Sequence, residues 1–293
     1  MKKFGLIGEK LGHSYSPLIH SKFGDYQYDL CEVSEDQLEA LLIDDTYGGF
    51  NVTMPYKKTV IPHLDELSET AKKIGSVNTI VRLEDGRLIG GNTDYFGFQY
   101  LLSANGIEVE GRKCMVLGSG GASLTVRAVL QDLGAGEIVV ISRNGEDNYE
   151  NIQKHFDSEV IINTTPVGMY PNNGRAPVNV EDFHNCQGVV DLIYNPNKTK
   201  LVLDAMAKSI PACGGLEMLV AQAKDASAMF QGIEIEDEEI DAAYDEVRSE
   251  MLNTVLIGMP GAGKTLIGGE IAAVIASKPD AYALERAKNA GIP

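Results

Sequence analysis

Short apolar runs alternate with segments of helical periodicity along most of the chain. Such runs, rich in Val, Ile and Leu and bounded by Gly, Asn or Ser, are typical of buried strands. The dipeptide Asp85-Gly86 between two of them favours a hairpin. We predict strands at residues 4–8, 28–33, 49–53, 77–83, 87–91, 113–117, 137–142, 160–163 and 188–193.

Helical segments separate these strands. Ser34, with Gln37 three residues later, matches a capping box and opens one of the helices. A regular alternation of strands and helices favours an α/β layer structure. We predict a helix that begins at about residue 16 and further helices at about residues 34–43, 65–74, 94–104, 197–207, 216–231 and 236–252.

A glycine-rich turn follows the strand predicted at residues 113–117 and opens a helix that ends at about residue 133. Such a turn places backbone N–H groups at a helix N-terminus, where unpaired donors and the helix dipole stabilise a pyrophosphate. Gly118 allows the tight turn and Gly120 lets a phosphate approach, whereas Ser123 replaces the third glycine of the common fingerprint. The turn predicts a dinucleotide site, with a purely structural turn as the alternative.

The end of the next strand indicates which dinucleotide is bound. An NAD site carries an acidic residue there, which holds the 2′-hydroxyl of the ribose. This chain instead has Arg143 between Ser142 and Asn144, a set that suits a 2′-phosphate and favours NADP. Glu146 and Asp147 follow closely and weaken the expected preference for the phosphate. A solvated loop arginine is the alternative interpretation of Arg143.

Three clusters of hydroxyl and amide side chains lie where strands of the first half end. The clusters span residues 12–17, 51–57, and 75–79 together with 91–94. In open α/β sheets the ligand lies beyond the carboxyl ends of the strands. The clusters therefore predict a site for a small, anionic, polyhydroxylated molecule. Each cluster alone also fits a helix start or a turn cap.

Composition excludes several classes of protein. The 293 residues include 25 Lys and Arg against 42 Asp and Glu, a net charge of −17, so a nucleic-acid partner is not expected. No apolar run reaches about 18 residues, and the N-terminal run is too short for a signal peptide. We therefore expect a cytoplasmic protein that does not enter a membrane. The four cysteines lack the spacing of a metal site, so no metal is predicted.

Six motifs occur in order along residues 1–250. They are GHSYSP at 12–17, NVTMPYK at 51–57, GSVNT at 75–79, GNTD at 91–94, DLIYNP at 191–196 and GGLEMLVAQA at 214–223. In this order the motifs resemble the shikimate dehydrogenase family. The resemblance implies the reversible, NADP-dependent reduction of 3-dehydroshikimate to shikimate, a step in the biosynthesis of chorismate and the aromatic amino acids.

The same resemblance implies that Lys57 and Asp94 are the catalytic pair. Hydride addition to a ketone develops an alkoxide, which needs a proton and a nearby positive charge. The Lys57 ammonium supplies both, while Asp94 positions Lys57 and the substrate hydroxyl. The substrate-binding residues implied are Ser14, Ser16, Thr53, Asn78, Tyr194 and Gln222. The NADP-binding residues implied are Gly118, Ser119, Gly120, Gly121, Ala122, Ser142, Arg143, Asn144, Leu192 and Gly215.

The domain organisation expected from this resemblance has two parts. Residues 1–100 form an α/β substrate-binding catalytic domain, onto which the helices of residues 216–250 pack back. Residues 101–215 form a Rossmann-like NADP-binding domain. The small-molecule substrate and cofactor are the expected partners, and the chain is expected to be a monomer or a homodimer.

The C-terminal tail carries a separate motif. Residues 258–265 match the phosphate-loop pattern, and residues 253–268 resemble the start of shikimate kinase. Residues 271–293 are instead similar to an internal piece of glycinamide ribonucleotide formyltransferase. We interpret residues 253–293 as an incomplete strand, P-loop and helix that lack kinase activity.

Three alternatives to the leading function remain open at this stage. A related enzyme could oxidise quinate or another polyol acid, with NAD in place of NADP. A non-catalytic NADP-binding sensor is the second alternative, although it leaves Lys57 and Asp94 unexplained. An interaction module built on the tail is the third.

Overall fold

The computed structural model describes residues 2–12 and 14–251. Within these residues a first sheet contains six strands: β1 (Lys3–Gly8), β2 (Tyr28–Glu32), β3 (Tyr47–Val52), β4 (Glu66–Leu67), β5 (Thr79–Arg82) and β6 (Leu88–Gly91). The strand order is β2-β1-β3-β5-β6-β4. β5 runs antiparallel to both neighbours, and the other pairs of this sheet are parallel.

A second sheet of the described chain is wholly parallel. Its strands are β7 (Lys113–Leu117), β8 (Glu137–Ile141), β9 (Val160–Asn163), β10 (Gly188–Asp191) and β11 (Ala212–Cys213). The strand order is β11-β10-β9-β7-β8. β8 and β9 lie on opposite sides of β7, which makes the carboxyl end of β7 a topological switch point, the place where such sheets bind ligands.

Helices connect the strands and cover both sheets. They are α1 (Ser16–His20), α2 (Leu38–Ile43), α3 (Glu69–Ile74), α4 (Asp94–Ala104), α5 (Gly121–Asp132), α6 (Lys200–Ala207), α7 (Leu216–Gln231) and α8 (Glu238–Met251). The predicted α/β class is therefore confirmed. The hairpin predicted at Asp85 and Gly86 is confirmed by the antiparallel pairing of β5 with β6.

Alternating side chains of the second sheet fill two cores, as expected when helices cover both faces of a sheet. Cys114 and Val116 of β7 point to the face covered by α4 and α5. Met115 and Leu117 point to the opposite face, where Leu201 of α6 packs. The near-continuous apolar run of β7 is the sequence signature of such a doubly covered strand.

We call the six-stranded sheet with its helices the first lobe and the five-stranded sheet with its helices the second lobe. α7 follows the second sheet in sequence but packs against α4 and against α1, β3 and β5 of the first lobe. The Phe230 ring at its end stacks on Phe4 of β1, with ring centroids 4.5 Å apart and planes inclined by 19°. Burying this apolar surface stabilises the return of the chain to the first sheet.

Some predicted boundaries were wrong for local reasons. The helix predicted at residues 65–74 begins only at Glu69, because Ser68 caps it by accepting a hydrogen bond from the Ala71 N–H (3.1 Å) and the preceding residues form β4. The helix predicted at 197–207 begins at Lys200, since Thr199 is its N-cap. The capping box at Ser34 is present, but it opens a 3₁₀ turn before α2.

Two predictions concern membranes and the tail. Among the described residues, no helix is both long and apolar enough to cross a membrane. The predicted phosphate loop at residues 258–265, and the strand and helix around it, lie outside the described residues.

The crossing of α4 and α7 requires a glycine. A Cβ built on Gly97 of α4 would lie 2.7 Å from the Met218 carbonyl oxygen and 3.0 Å from the Gln222 Cβ, both on α7. Contacts this short force the neighbouring backbone to move, because Met218 contributes a main-chain atom. Gly97 therefore sets the spacing between α4, which begins at the candidate site, and α7, which passes beside it.

We predict that Gly97→Ala lowers the free energy of unfolding by about 1–3 kcal/mol, the usual cost of overpacking a close contact. Urea unfolding followed by circular dichroism measures this change. Ser103→Ala, at an exposed position of α4, is the matched control and should leave stability nearly unchanged. Equal stability of the two variants would show that α4 and α7 can separate without cost.

Candidate active site

Polar side chains of the first lobe converge on one edge of its sheet because of strand direction. Lys57 follows β3 and Asp94 follows β6, so both leave the carboxyl ends of parallel strands. Asn78 precedes β5, which runs in the opposite direction and therefore starts at this same edge. The antiparallel β5 thus adds an amide to a site that the parallel strands supply with charge.

Lys57 and Asp94 form an ion pair at this edge. The Lys57 Nζ lies 2.5 Å from Asp94 Oδ2, and the two side chains are 24% and 17% exposed. The Lys57 carbonyl oxygen accepts a hydrogen bond from the Val77 N–H at 2.8 Å, which fixes the turn. Asp94 is the first residue of α4, where the helix dipole favours a carboxylate. The ion pair is therefore half-buried. The hydrogen bond from Val77 fixes the turn of the lysine, and the first turn of α4 fixes the carboxylate.

Asn78, Thr93 and Gln222 are joined by hydrogen bonds. Asn78 Nδ2 donates to Thr93 Oγ1 (3.1 Å), and Asn78 Oδ1 accepts from the Thr93 N–H (2.7 Å). The Thr93 hydroxyl lies 3.4 Å from Gln222 Oε1, which α7 brings back to the first lobe. These contacts gather two of the predicted substrate-binding residues beside Asp94.

Ser14 and Ser16 also lie together. Their hydroxyls are 3.1 Å apart, and Ser14 Oγ accepts a hydrogen bond from the Ser16 N–H at 3.2 Å. Beside this turn, the Tyr28 hydroxyl of β2 donates a hydrogen bond to Asn51 Oδ1 of β3 at 2.7 Å. Tyr28 and Asn51 therefore link two strands of the first sheet across β1.

Thr53 and Tyr194 occupy the borders of this region. Thr53 follows β3, and its N–H donates to the Ile7 carbonyl oxygen of β1 at 2.9 Å. Tyr194 follows β10 of the second sheet, and its ring meets the edge of Tyr15 with centroids 6.2 Å apart and planes at 85°. The Tyr15–Tyr194 contact joins the serine turn of the first lobe to a loop of the second.

The loop that carries Tyr194 is anchored by a buried carboxylate. Asp191 accepts hydrogen bonds from the Thr199 hydroxyl (2.7 Å), the Ile193 N–H (3.1 Å) and Asn163 Nδ2 (3.0 Å). Burial raises the pKa of Asp191 from 3.8 to about 6 despite these donors. Both ends of the loop are thereby tied to one side chain.

The glycine turn at the switch point has the shape that a pyrophosphate requires. Gly118 adopts φ +108°, and a Cβ there would lie 2.6 Å from Thr164 Oγ1. At Gly120 and Gly121 a Cβ would meet no described atom within 4 Å, so open space lies in front of the turn. α5 begins at Gly121, and its first N–H groups are available to an anion. Ser119 and Ala122 are exposed beside this space.

The remaining predicted cofactor residues follow neighbouring strands of the second sheet. Ser142, Arg143 and Asn144 follow β8, and both Arg143 and Asn144 are exposed. The Ser142 N–H donates to the Asp147 carbonyl oxygen, which folds the acidic segment back toward the strand end. An exposed cation therefore follows the strand next to the glycine turn, with acidic residues close by in sequence.

Leu192 and Gly215 lie against each other at the same edge. A Cβ on Gly215 would lie 2.1 Å from the Leu192 carbonyl oxygen, so this position accepts only glycine. The Gly215 N–H donates to the Ile193 carbonyl oxygen at 2.9 Å. Together with the open space at Gly120 and Gly121, this edge fits a bound dinucleotide.

Tyr28 and His20 are polar residues of this region that the sequence analysis did not assign to it, and Asn51 belonged to a predicted polar cluster without a role of its own. Tyr28 was predicted only as part of a strand. His20 lies just beyond the motif at 12–17. The signal available in the sequence was the set of polar side chains within otherwise apolar elements, since such groups require buried partners.

A glycine turn at the switch point of a parallel sheet, facing a lobe that presents a lysine–carboxylate pair, is typical of a dinucleotide-dependent oxidoreductase. Residues 6–80 match the family model described as shikimate dehydrogenase substrate binding domain. A shikimate dehydrogenase (NADP(+)) of Clostridium beijerinckii is 39% identical over 269 residues, which cover 85% of this chain and 99% of that relative. The chain belongs to the shikimate dehydrogenase family.

Solved structures agree with this membership. A chorismate mutase/shikimate 5-dehydrogenase fusion protein from Clostridium acetobutylicum is 37% identical, with a TM-score of 0.81 and coverage of 86% of this chain and 98% of that one. Shikimate 5-dehydrogenase from Thermus thermophilus, solved with NADP(H) and shikimate, is 30% identical, with a TM-score of 0.75 and coverage of 84% and 100%.

The buried His20 predicts an acid-sensitive component of stability. Burial lowers the pKa of His20 from 6.5 to about 3, so below pH 6.5 the unfolded chain binds a proton that the folded chain does not. The His20 contribution is complete above pH 6.5 and is lost as the pH falls from 6.5 toward 3, by about 1.4 kcal/mol per pH unit.

Urea unfolding of the wild-type chain and of His20→Gln between about pH 7 and about pH 5 measures this contribution. We expect the difference in unfolding free energy between the two proteins to shrink as the solution is acidified. Parallel pH profiles of the two proteins would contradict the low pKa of the folded His20.

Proposed function

We propose that this chain catalyses the reversible, NADP-dependent reduction of 3-dehydroshikimate to shikimate. The observation that carries the proposal is the half-buried pair of Lys57 and Asp94, at the sheet edge where Asn78, Thr93 and Gln222 also meet. Family membership supports the reaction class, and the relatives' printed names support this substrate and cofactor.

Proton transfer is the part of the reaction that this chain's own residues perform. Bound NADPH supplies the hydride. Lys57 Nζ donates a proton to the ketone oxygen as negative charge develops there, and its positive charge stabilises the alkoxide. In the oxidation direction the Lys57 amine accepts the proton of the hydroxyl group.

Asp94 orients the lysine in this mechanism. Its Oδ2 accepts the 2.5 Å hydrogen bond from Lys57, which holds the ammonium in one direction. The other carboxylate oxygen of Asp94 binds a substrate hydroxyl next to the reacting carbon. Holding both groups in place reduces the entropy that must be lost in the transition state.

The remaining polar residues bind the substrate in our proposal. The paired hydroxyls of Ser14 and Ser16 hold the carboxylate, and Thr53, Asn78 and Gln222 hold the ring hydroxyls. Tyr194 covers the substrate from the second lobe. Neutral hydroxyls and amides suit this task, because they bind several polar groups without adding charge to the proton-transfer site.

The second lobe holds NADP in our proposal. The residues of the glycine turn would hold its pyrophosphate at the N-terminus of α5: Gly118, Ser119, Gly120, Gly121 and Ala122. Arg143, with Ser142 and Asn144, would hold the 2′-phosphate, and Leu192 and Gly215 would line the nicotinamide end. We accordingly assign substrate binding to residues 1–100 and 216–250, and cofactor binding to residues 101–215.

The test is a steady-state assay of cofactor reduction by the full chain, followed by absorbance. Shikimate and quinate are each assayed with NADP⁺ and with NAD⁺. We expect shikimate with NADP⁺ to give the highest kcat/KM.

We expect Lys57→Ala to reduce kcat by roughly 100- to 10,000-fold, the usual contribution of a general acid–base group. NADPH affinity, measured from its fluorescence, should stay within about twofold because Lys57 lies on the other lobe.

Lys58→Ala is the matched control, since Lys58 is the exposed neighbour of Lys57, and it should retain turnover. Near-normal turnover by Lys57→Ala would refute the catalytic role. Higher kcat/KM with quinate, or with NAD⁺, would assign the chain to the corresponding alternative, and cofactor binding without any turnover would favour the sensor.

Arg143 should determine the preference for NADP over NAD. We predict that Arg143→Gln lowers the ratio of kcat/KM for NADP⁺ to that for NAD⁺ by roughly tenfold, because a charge-assisted hydrogen bond to the phosphate is lost. Arg127→Gln, at an exposed position of α5, is the control and should keep the ratio. An unchanged ratio in Arg143→Gln would mean that Arg143 does not contact the 2′-phosphate.

A further inference from the structure

Tyr15 lies between Ser14 and Ser16, and the proposed mechanism gives it no role. Its ring is half-buried and meets the ring of Tyr194 in a T-shaped arrangement, with centroids 6.2 Å apart and planes inclined by 85°. Such a pair places the positive edge of one ring on the negative face of the other, which adds stability beyond the area that the rings bury. Because Tyr15 belongs to the first lobe and Tyr194 to the second, the contact bridges the two lobes.

The backbone that carries Tyr15 is held on both sides. Tyr15 is the N-cap of α1, and its carbonyl oxygen accepts a hydrogen bond from the Ile19 N–H at 2.9 Å. The Ile19 side chain is fully buried, which anchors the helix. Ser14 Oγ accepts a hydrogen bond from the Ser16 N–H at 3.2 Å and closes the turn around Tyr15. The turn that presents the two serine hydroxyls therefore also presents the Tyr15 ring to the second lobe.

The backbone on either side of Tyr194 is held as well. The Ile193 N–H donates to Asp191 Oδ1 at 3.1 Å, and the Asn195 carbonyl oxygen accepts from the Tyr170 N–H at 3.0 Å. With its backbone fixed, the Tyr194 side chain can still choose among staggered rotamers. The contact with Tyr15 favours the rotamer in which the two rings meet.

We propose that Tyr15 is a positioning residue for the substrate: its ring packs against Tyr194, ties the serine turn to the second lobe and holds the Tyr194 ring over the bound ring acid. This inference rests on the proposed function, in which Tyr194 covers the substrate. Tyr15 acts through Tyr194 and exchanges no proton with the reacting atoms. Its loss therefore weakens ground-state and transition-state binding alike, which raises the KM for shikimate and leaves kcat nearly unchanged.

A double-mutant cycle separates this role from a general effect on the serine turn. Tyr15→Leu removes one ring of the pair, and Tyr194→Leu removes the other. The double variant then shows whether the effect of Tyr15 depends on Tyr194, since residues that act through their mutual contact give non-additive effects. Tyr15→Phe keeps the ring and removes only the hydroxyl.

We expect Tyr15→Leu to raise the KM for shikimate by roughly five- to tenfold, the upper range for an aromatic pair, with kcat and the KM for NADP⁺ within about threefold of wild type. Tyr15→Phe should stay within about twofold for each constant, because the rings themselves make the contact. In the Tyr194→Leu background, Tyr15→Leu should change the KM for shikimate by less than about twofold.

Tyr100→Leu is the control for the loss of a tyrosine ring elsewhere. Tyr100 is a half-buried residue of α4 whose hydroxyl donates to Asp241 Oδ1 at 2.9 Å. Both KM values should be retained in this variant. An increase in the KM for shikimate as large as that of Tyr15→Leu would show that the effect is not particular to the Tyr15–Tyr194 contact, and would overturn the proposal.

An increase of equal size for Tyr15→Leu in the wild-type and Tyr194→Leu backgrounds would also overturn the proposal, because Tyr15 would then act independently of Tyr194. So would an unchanged KM in Tyr15→Leu, or an equal increase in Tyr15→Phe. If thermal melting shows that Tyr15→Leu does not fold, Tyr15→Gln takes its place in the cycle, with the same expected results. A wild-type chain without shikimate-dependent turnover would refute the proposed function, and this inference with it.

Discussion

The proposed chemistry of this chain depends on one ion pair, in which a lysine and a carboxylate meet at 2.5 Å in a half-buried position. A half-buried pair is screened by water less than a surface pair, and removing either partner leaves the other charge poorly compensated. Lys57 stands on the turn after β3 and Asp94 on the first turn of α4, and the β5–β6 hairpin separates them in sequence. The geometry of the first sheet therefore determines where the proposed proton donor lies.

The polar network behind that pair limits the arrangements that its side chains can adopt. Asn51, Asn78, Thr79 and Thr93 are all buried, and each has partners within the network. Buried polar groups are costly when unpaired, so a change in one orientation leaves another group unsatisfied. A network of this kind admits few arrangements, which is useful where several hydroxyls of one small ring must be distinguished.

The alternation of apolar runs was enough to predict the α/β class, β7, β9, α4 and α7, because these elements have strong periodicity or clear turn residues at their ends. β4 and β11 were missed since each has two residues, too few for a pattern. The motifs indicated which residues to consider, but periodicity could not indicate that Gln222 and Ser227 of α7 reach the first lobe. That contact depends on tertiary packing, through Gly97 and Phe230. His20 and Tyr28 were overlooked for the same reason, as their partners lie on other elements.

The path of the chain makes α7 a connection between the two sheets. It begins just after β11, at Gly215 beside the proposed nicotinamide end, and it finishes against Phe4 of β1. Along the way it passes α4 closely enough to exclude a side chain at Gly97, so the helix that begins with Asp94 packs directly against the helix that carries Gln222. One helix therefore reaches both sides of the proposed site, because Gly215 at its start lies against Leu192 and Gln222 lies beside Thr93. The packing that places Gln222 next to the lysine–carboxylate pair is thus the same packing that fixes where α7 leaves the second sheet.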